Sequence, residues 1–189
     1  MKKKLVVIGY GGMGGWHTRA AEKSDVVTLG GIYDIKEERR KAAEDAGIFS
    51  YDSFEAVLAD PMVDLVTIAV PNDEHERLTV AALEAGKNVI NEKPVTLTSQ
   101  SLKRMIDASE RAGKLLTVHQ NRRWDVDYLA MQKIVDSGEI REIHFAFVNR
   151  IADPEFVEKA GRIGFGDLFL VSHQSVSCSV TASVETGAA

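Results

Sequence analysis

The sequence predicts an α/β protein built on a parallel, doubly wound sheet, followed by the incomplete start of a second α/β domain. Short runs rich in β-branched residues alternate with segments of helical spacing along most of the chain. That alternation is the pattern of strands linked in parallel by crossover helices. The runs are apolar at successive positions rather than at every second one, as strands buried on both faces are. A length of 189 residues allows one full domain and part of a second.

In chain order, "KLVVIGY" (4–10) is the first strand, and a helix follows from Met13 to about Lys23. "VVTLGGIYD" (26–34) and "DLVTIAV" (64–70) are the next two strands. Asn72, after Pro71, is the expected N-cap of a helix carrying Leu78, Ala81, Ala82 and Ala85 on one face, with Gly86 as its stop. "KNVINEK" (87–93) is a strand, and Leu102, Met105 and Ile106 mark a helix that stops at Gly113. "KLLTVHQ" (114–120) closes the sheet. "DVDYLAMQKIVDSGEI" predicts one more helix, and "EIHFAFVNR" (142–150) a strand of more polar pattern belonging to another sheet. The expected division is 1–119 for the first domain, 120–165 for the start of a second, and 166–189 for a low-complexity tail.

Hydrophobic residues make up 44% of the chain, enough for a sizeable core. A net charge of −5 argues against a general nucleic-acid binder, which needs a basic face. The single cysteine, Cys178, excludes an intrachain disulfide and points to a reducing compartment. The basic start "MKKK" precedes an apolar run too short for a signal peptide, and no run has the length of a membrane span. A cytoplasmic protein without nucleic-acid or membrane partners is expected.

The first chemical signal is Gly9-Tyr10-Gly11-Gly12-Met13-Gly14. A GxGxxG is weak alone, but this one follows a strand, opens a helix, and is succeeded after about twenty residues by Asp34 at the end of the next strand. In that context Gly9 serves the tight turn, Gly11 lets the backbone approach a pyrophosphate, and Gly14 lets helix and strand pack closely. Gly12 and Met13 lie in the same phosphate-binding turn. The free N–H groups and partial positive charge of the helix start favour phosphate. Asp34 would accept hydrogen bonds from the adenosine ribose and repel a 2′-phosphate, so NAD is expected rather than NADP. Lys36, Arg39 and Arg40 lie close enough to moderate that preference.

The second signal lies at the ends of two later strands, "AVPNDEH" and "NEKPV". Ligands of open α/β sheets bind beyond the carboxyl ends of the strands, so Lys93 falls where a nicotinamide and substrate would meet. A lysine there suits proton exchange with a substrate hydroxyl. Pro94 disfavours helical dihedrals at Lys93. His75, in the first turn of a helix, is read as a packing or capping residue. No metal ligands are expected.

"VPNDEH…AALEAGKNVINEKPV" followed by "VHQNRRWDVDY" resembles the Gfo/Idh/MocA family, and the resemblance runs from about Lys4 to Arg150. It implies an N-terminal Rossmann domain and a C-terminal α/β domain on a large, mostly antiparallel sheet. It also implies oxidation or reduction of a hydroxyl or carbonyl on a sugar, polyol or related molecule with NAD(H) or NADP(H). By the same resemblance Gly9, Gly11 and Gly14 hold the pyrophosphate and Asp34 the ribose, while Pro71 and Asn72 line the cofactor cleft. Glu92 lies near the nicotinamide ribose and Lys93 is the catalytic lysine. Arg122 approaches the nicotinamide end, and Asn121 and Trp124 border the substrate pocket.

The family pattern continues with an Asp-x-x-x-His on a second-domain helix, whose histidine shares proton transfer. Here the only later pair, Asp167 and His173, does not have that spacing, and "LFLVS" between them looks like a strand. No Lys or Arg follows Arg162, and after Leu170 the sole charge is Glu185. A truncated or frame-shifted product and a divergent short protein both fit this composition. Two function classes therefore stay open: an oxidoreductase of this family, whole or impaired by truncation at its C-terminal side, and a dinucleotide-binding module without turnover, a sensor or an inactive remnant. A homo-oligomer is compatible with either.

Overall fold

The computed structural model describes residues 2–137, with 148–149 and 177–178 beyond them. The chain divides into two compact units, Met1–Gln120 and Asn121–Ala189. In the first unit, β1 (Lys3–Ile8) leads through the glycine loop to α1 (Gly12–Glu22) and β2 (Val27–Tyr33). Helices α2 (Glu37–Asp45) and α3 (Phe54–Ala59) precede β3 (Leu65–Ile68). Then come α4 (His75–Glu84), β4 (Asn88–Asn91), α5 (Ser99–Ala112) and β5 (Leu116–Val118). All five strands run parallel in the order β2-β1-β3-β4-β5. The order reverses at β1, so crevices open at the carboxyl ends of β1 and β3.

Alternation along β1 distributes the core. Val6 and Ile8 join Val66, Ile68, Val89, Leu78, Leu83 and Ala108 in the larger cluster, while Val7 packs with Ile32 and Ala43 in the smaller. Side chains two apart share a sheet face, so one strand serves both layers. The helices begin and end for local reasons. The Ser53 hydroxyl accepts the Ala56 N–H at 3.0 Å and starts α3. The Thr98 hydroxyl accepts the Ser101 N–H at 3.2 Å and starts α5. Helices α4 and α5 stop just before Gly86 and Gly113, both at positive φ.

Several elements differ from expectation. Asn72 does not cap α4. It opens a 3-10 turn, Asn72–Glu74, and α4 begins only at His75. The fourth and fifth strands are shorter than their apolar patterns, which leaves Glu92, Lys93 and His119 just past strand ends. Helices α2 and α3 lie outside the patterns singled out above. Helix α2 is so charged that its apolar face reduces to Ala43, and Glu37 and Glu38 in its first turn favour it electrostatically. Outside β2, a single bridge between Ile32 and Ser50 takes the place of a further strand.

In the second unit a 3-10 turn, Asn121–Trp124, leads into α6 (Val126–Asp136), and β6 (Val148–Asn149) pairs antiparallel with β7 (Ser177–Cys178). The rest of the predicted 142–150 strand and the "LFLVS" strand lie outside the described residues. Among the described residues no helix is long and apolar enough to cross a membrane.

Candidate cofactor site

The glycine loop sits at the carboxyl end of β1. Gly9 has φ +91°, and a Cβ there would stand 2.4 Å from the Ala69 carbonyl oxygen. A Cβ at Gly14 would stand 1.8 Å from the Gly9 carbonyl oxygen. Both positions therefore require glycine, one for the turn and one for the close approach of α1. The loop is open at Gly12, where a Cβ would meet nothing within 4 Å, while at Gly11 a Cβ would stand 3.4 Å from Arg39 Nη1. Gly11 is the N-cap residue of α1 and provides no side-chain cap. The orphan N–H groups of that helix start therefore have no side-chain cap. Met13, in the first turn, is exposed.

Asp34 lies immediately after β2 and is 3% exposed. Its Oδ2 accepts the Tyr10 N–H at 2.7 Å and Arg39 Nη1 at 3.3 Å, and its Oδ1 accepts the Lys36 N–H at 2.8 Å. Arg40 Nη1 donates to the Asp34 carbonyl at 2.7 Å. A carboxylate offers about four acceptor positions, so these three bonds leave one unfilled. The sequence reading missed the structural half of this residue: Asp34 also anchors the glycine loop through Tyr10.

Pro71 and Asn72 are exposed beyond β3, and Lys93 is half-buried beyond β4. The Lys93–Pro94 peptide bond is cis. Buried His75 lies between the two loops, with Nδ1 3.0 Å from the Pro94 carbonyl oxygen and Nε2 3.0 Å from that of Val70. Among the described residues the Lys93 ammonium has no ion-pair partner.

Glu92 is buried, and its Oε1 lies 2.7 Å from His17 Nε2 and 2.8 Å from His119 Nδ1. Burial alone would raise its carboxyl, but the hydrogen bonds from His119 and His17 outweigh it and hold the group well below the usual carboxylate range. Neither histidine was singled out from sequence. The signal was available in the strand register: Asn91 pairs with Val118, which sets Glu92 and His119 side by side.

Asn121, Arg122 and Trp124 belong to the second unit. Arg122 Nη1 donates to Asp125 Oδ2 at 2.9 Å, and Trp124 is 77% exposed.

A doubly wound sheet with an open glycine loop, an uncapped helix start and a carboxylate closing the neighbouring strand defines a dinucleotide-binding domain. Residues 3–120 match the oxidoreductase family with an NAD-binding Rossmann fold. The chain belongs to this family, Gfo/Idh/MocA. It is 32% identical over 143 residues to the scyllo-inositol 2-dehydrogenase (NADP(+)) IolW of Bacillus subtilis, a match spanning 75% of this chain and 39% of that protein. It is 32% identical over 164 residues to the inositol 2-dehydrogenase of Salmonella paratyphi B, spanning 82% of this chain and 49% of the relative. Among solved structures, an NAD-binding protein from Listeria innocua superposes with a TM-score of 0.73 at 48% identity, covering 75% of this chain and 40% of that one. The chain thus spans less than half the length of these relatives.

Proposed function

We propose that the chain binds a nicotinamide dinucleotide, NAD(H) in preference to NADP(H), and serves hydride transfer on a hydroxyl or carbonyl of a sugar or polyol. The observation that carries this reading is the open glycine loop with Asp34 fastened beneath it. The N–H groups at the start of α1 would take the pyrophosphate. The remaining acceptor position of Asp34 would take a ribose hydroxyl, and its charge opposes a 2′-phosphate. When bound, nicotinamide supplies the carbon that exchanges hydride with substrate. Lys93 would hold and move the proton of the substrate hydroxyl at its Nζ. Two relatives named as inositol dehydrogenases support a polyol as the substrate class. The Bacillus relative is named for NADP(+), so the preference for NAD(H) rests on Asp34 alone. Titration calorimetry with both reduced cofactors tests it: NADH should bind at least tenfold more tightly, and equal or tighter binding of NADPH counts against it.

A further inference from the structure

Three elements deliver side chains to one carboxylate oxygen. Helix α1 supplies His17, the end of β4 supplies Glu92, and the end of β5 supplies His119. The imidazole centroids are 4.7 Å apart, and the Trp16 ring lies 5.2 Å from one and 5.3 Å from the other. His17 and Glu92 side chains are under a tenth exposed, and that of His119 about a fifth. The second carboxylate oxygen of Glu92, Oε2, accepts the backbone N–H of Lys93 at 3.2 Å.

A buried carboxylate is tolerable only when its lone pairs are matched by donors. Ionised Glu92 can only accept, so each histidine must present an N–H to it. That requirement fixes the protonated nitrogens as Nε2 of His17 and Nδ1 of His119. Two imidazoles and a carboxylate are also a donor set that zinc accepts, and their atoms lie within 4.8 Å of one another. The contacts of 2.7 and 2.8 Å are hydrogen-bond lengths. Tetrahedral zinc ligands stand farther apart, about 3.3 Å. The arrangement fits a hydrogen-bonded clamp.

We propose that His17 and His119 are positioning residues for Lys93: sharing Oε1 of Glu92, they hold that carboxylate in one place, and its other oxygen holds the Lys93 backbone. The role rests on the reading of Lys93 as the proton-transfer group. It ties the helix that opens the glycine loop to the lysine that would face the substrate, so cofactor loop and lysine keep a common position.

Nuclear magnetic resonance on the full 189-residue chain at neutral pH, without cofactor, tests the clamp. Long-range proton–nitrogen spectra should show His17 protonated at Nε2 and His119 at Nδ1. The Lys93 amide should exchange slowly with solvent. His17→Gln and His119→Asn place an amide N–H where each imidazole donor stood, and both should keep that protection. His17→Leu or His119→Leu should speed Lys93 exchange by about tenfold or more, with the amides of Val6 and Val66 unchanged. The opposite tautomer at either histidine overturns the proposal. So does Lys93 protection that survives both leucine variants, or that falls only together with Val6 and Val66. Should the leucine variants fail to fold, the Gln and Asn variants decide: folded chains with an unprotected Lys93 overturn it. Stoichiometric Zn²⁺ binding abolished by Glu92→Gln overturns it in favour of a metal centre. Cofactor titration of the wild-type chain is read separately, so a failure to bind NADH sinks the functional reading while leaving the clamp measurable.

Discussion

At Asp34 a single buried carboxylate accepts from the Tyr10 N–H, the Lys36 N–H and Arg39, and the functional reading adds a ribose hydroxyl. Asp34→Ala removes the charge that opposes a 2′-phosphate and leaves Arg39 unpaired beside it. NADH affinity should fall tenfold or more while NADPH affinity falls less or rises, as a lost hydrogen bond to a charged group implies; calorimetry with the two cofactors reads the ratio. Asp60 illustrates a different kind of carboxylate. The Tyr51 hydroxyl, the Met62 N–H and the Lys4 ammonium, in that order, hold it down at about 2. Glu92 is likewise held low. A group depressed on folding contributes stability that is present above its unfolded pKa and lost as pH falls through the folded one. Urea midpoints should therefore decline from about pH 5 towards pH 2. Asp60→Asn should lower the midpoint at pH 7 and flatten that decline, and an equally steep decline in the variant would refute its share.

Helix α5 shows how much an element owes to its first residue. Thr98 and Ser53 each supply one hydroxyl to an otherwise orphan N–H, and replacing either with alanine should cost about 1 kcal/mol in urea unfolding. The same scale explains what was legible in the sequence. The central strands β1 and β3 were visible because burial on both faces makes them largely apolar, and α4 and α5 because glycines at positive φ end them. Helix α2 escaped because it buries one alanine, too little to leave a period of 3.6 residues. The glycine loop and Asp34 were legible because only glycine fits at Gly9 and Gly14. The partnership of His17 with Glu92 was not, because it depends on how α1 lies against the sheet rather than on any local pattern. Its other half, His119 beside Glu92, follows from strand register once the strand order is known.

At the scale of the whole molecule, the groups proposed to bind cofactor and those proposed to turn over substrate have different dependencies. Gly9, Gly11, Gly14, Asp34, Glu92 and Lys93 all lie within Met1–Gln120, a unit with its own core on both sides of its sheet. Cofactor binding should therefore be a property of that unit. Hydride leaves a carbon only if the hydroxyl proton leaves too, and the family pattern pairs the lysine with a histidine that the spacing of Asp167 and His173 does not reproduce. Losing a positioned acid–base partner costs on the order of 10²–10⁴ in rate. The 189-residue polypeptide should thus bind NADH measurably yet reduce NAD⁺ at a small fraction of one turnover per second with any polyol, sugar or sugar lactone. Absorbance of NADH followed across such a panel reads the rate. Turnover near one per second on any compound, abolished by Lys93→Ala, would show that Lys93 works without the expected histidine, and that these residues alone assemble a working site.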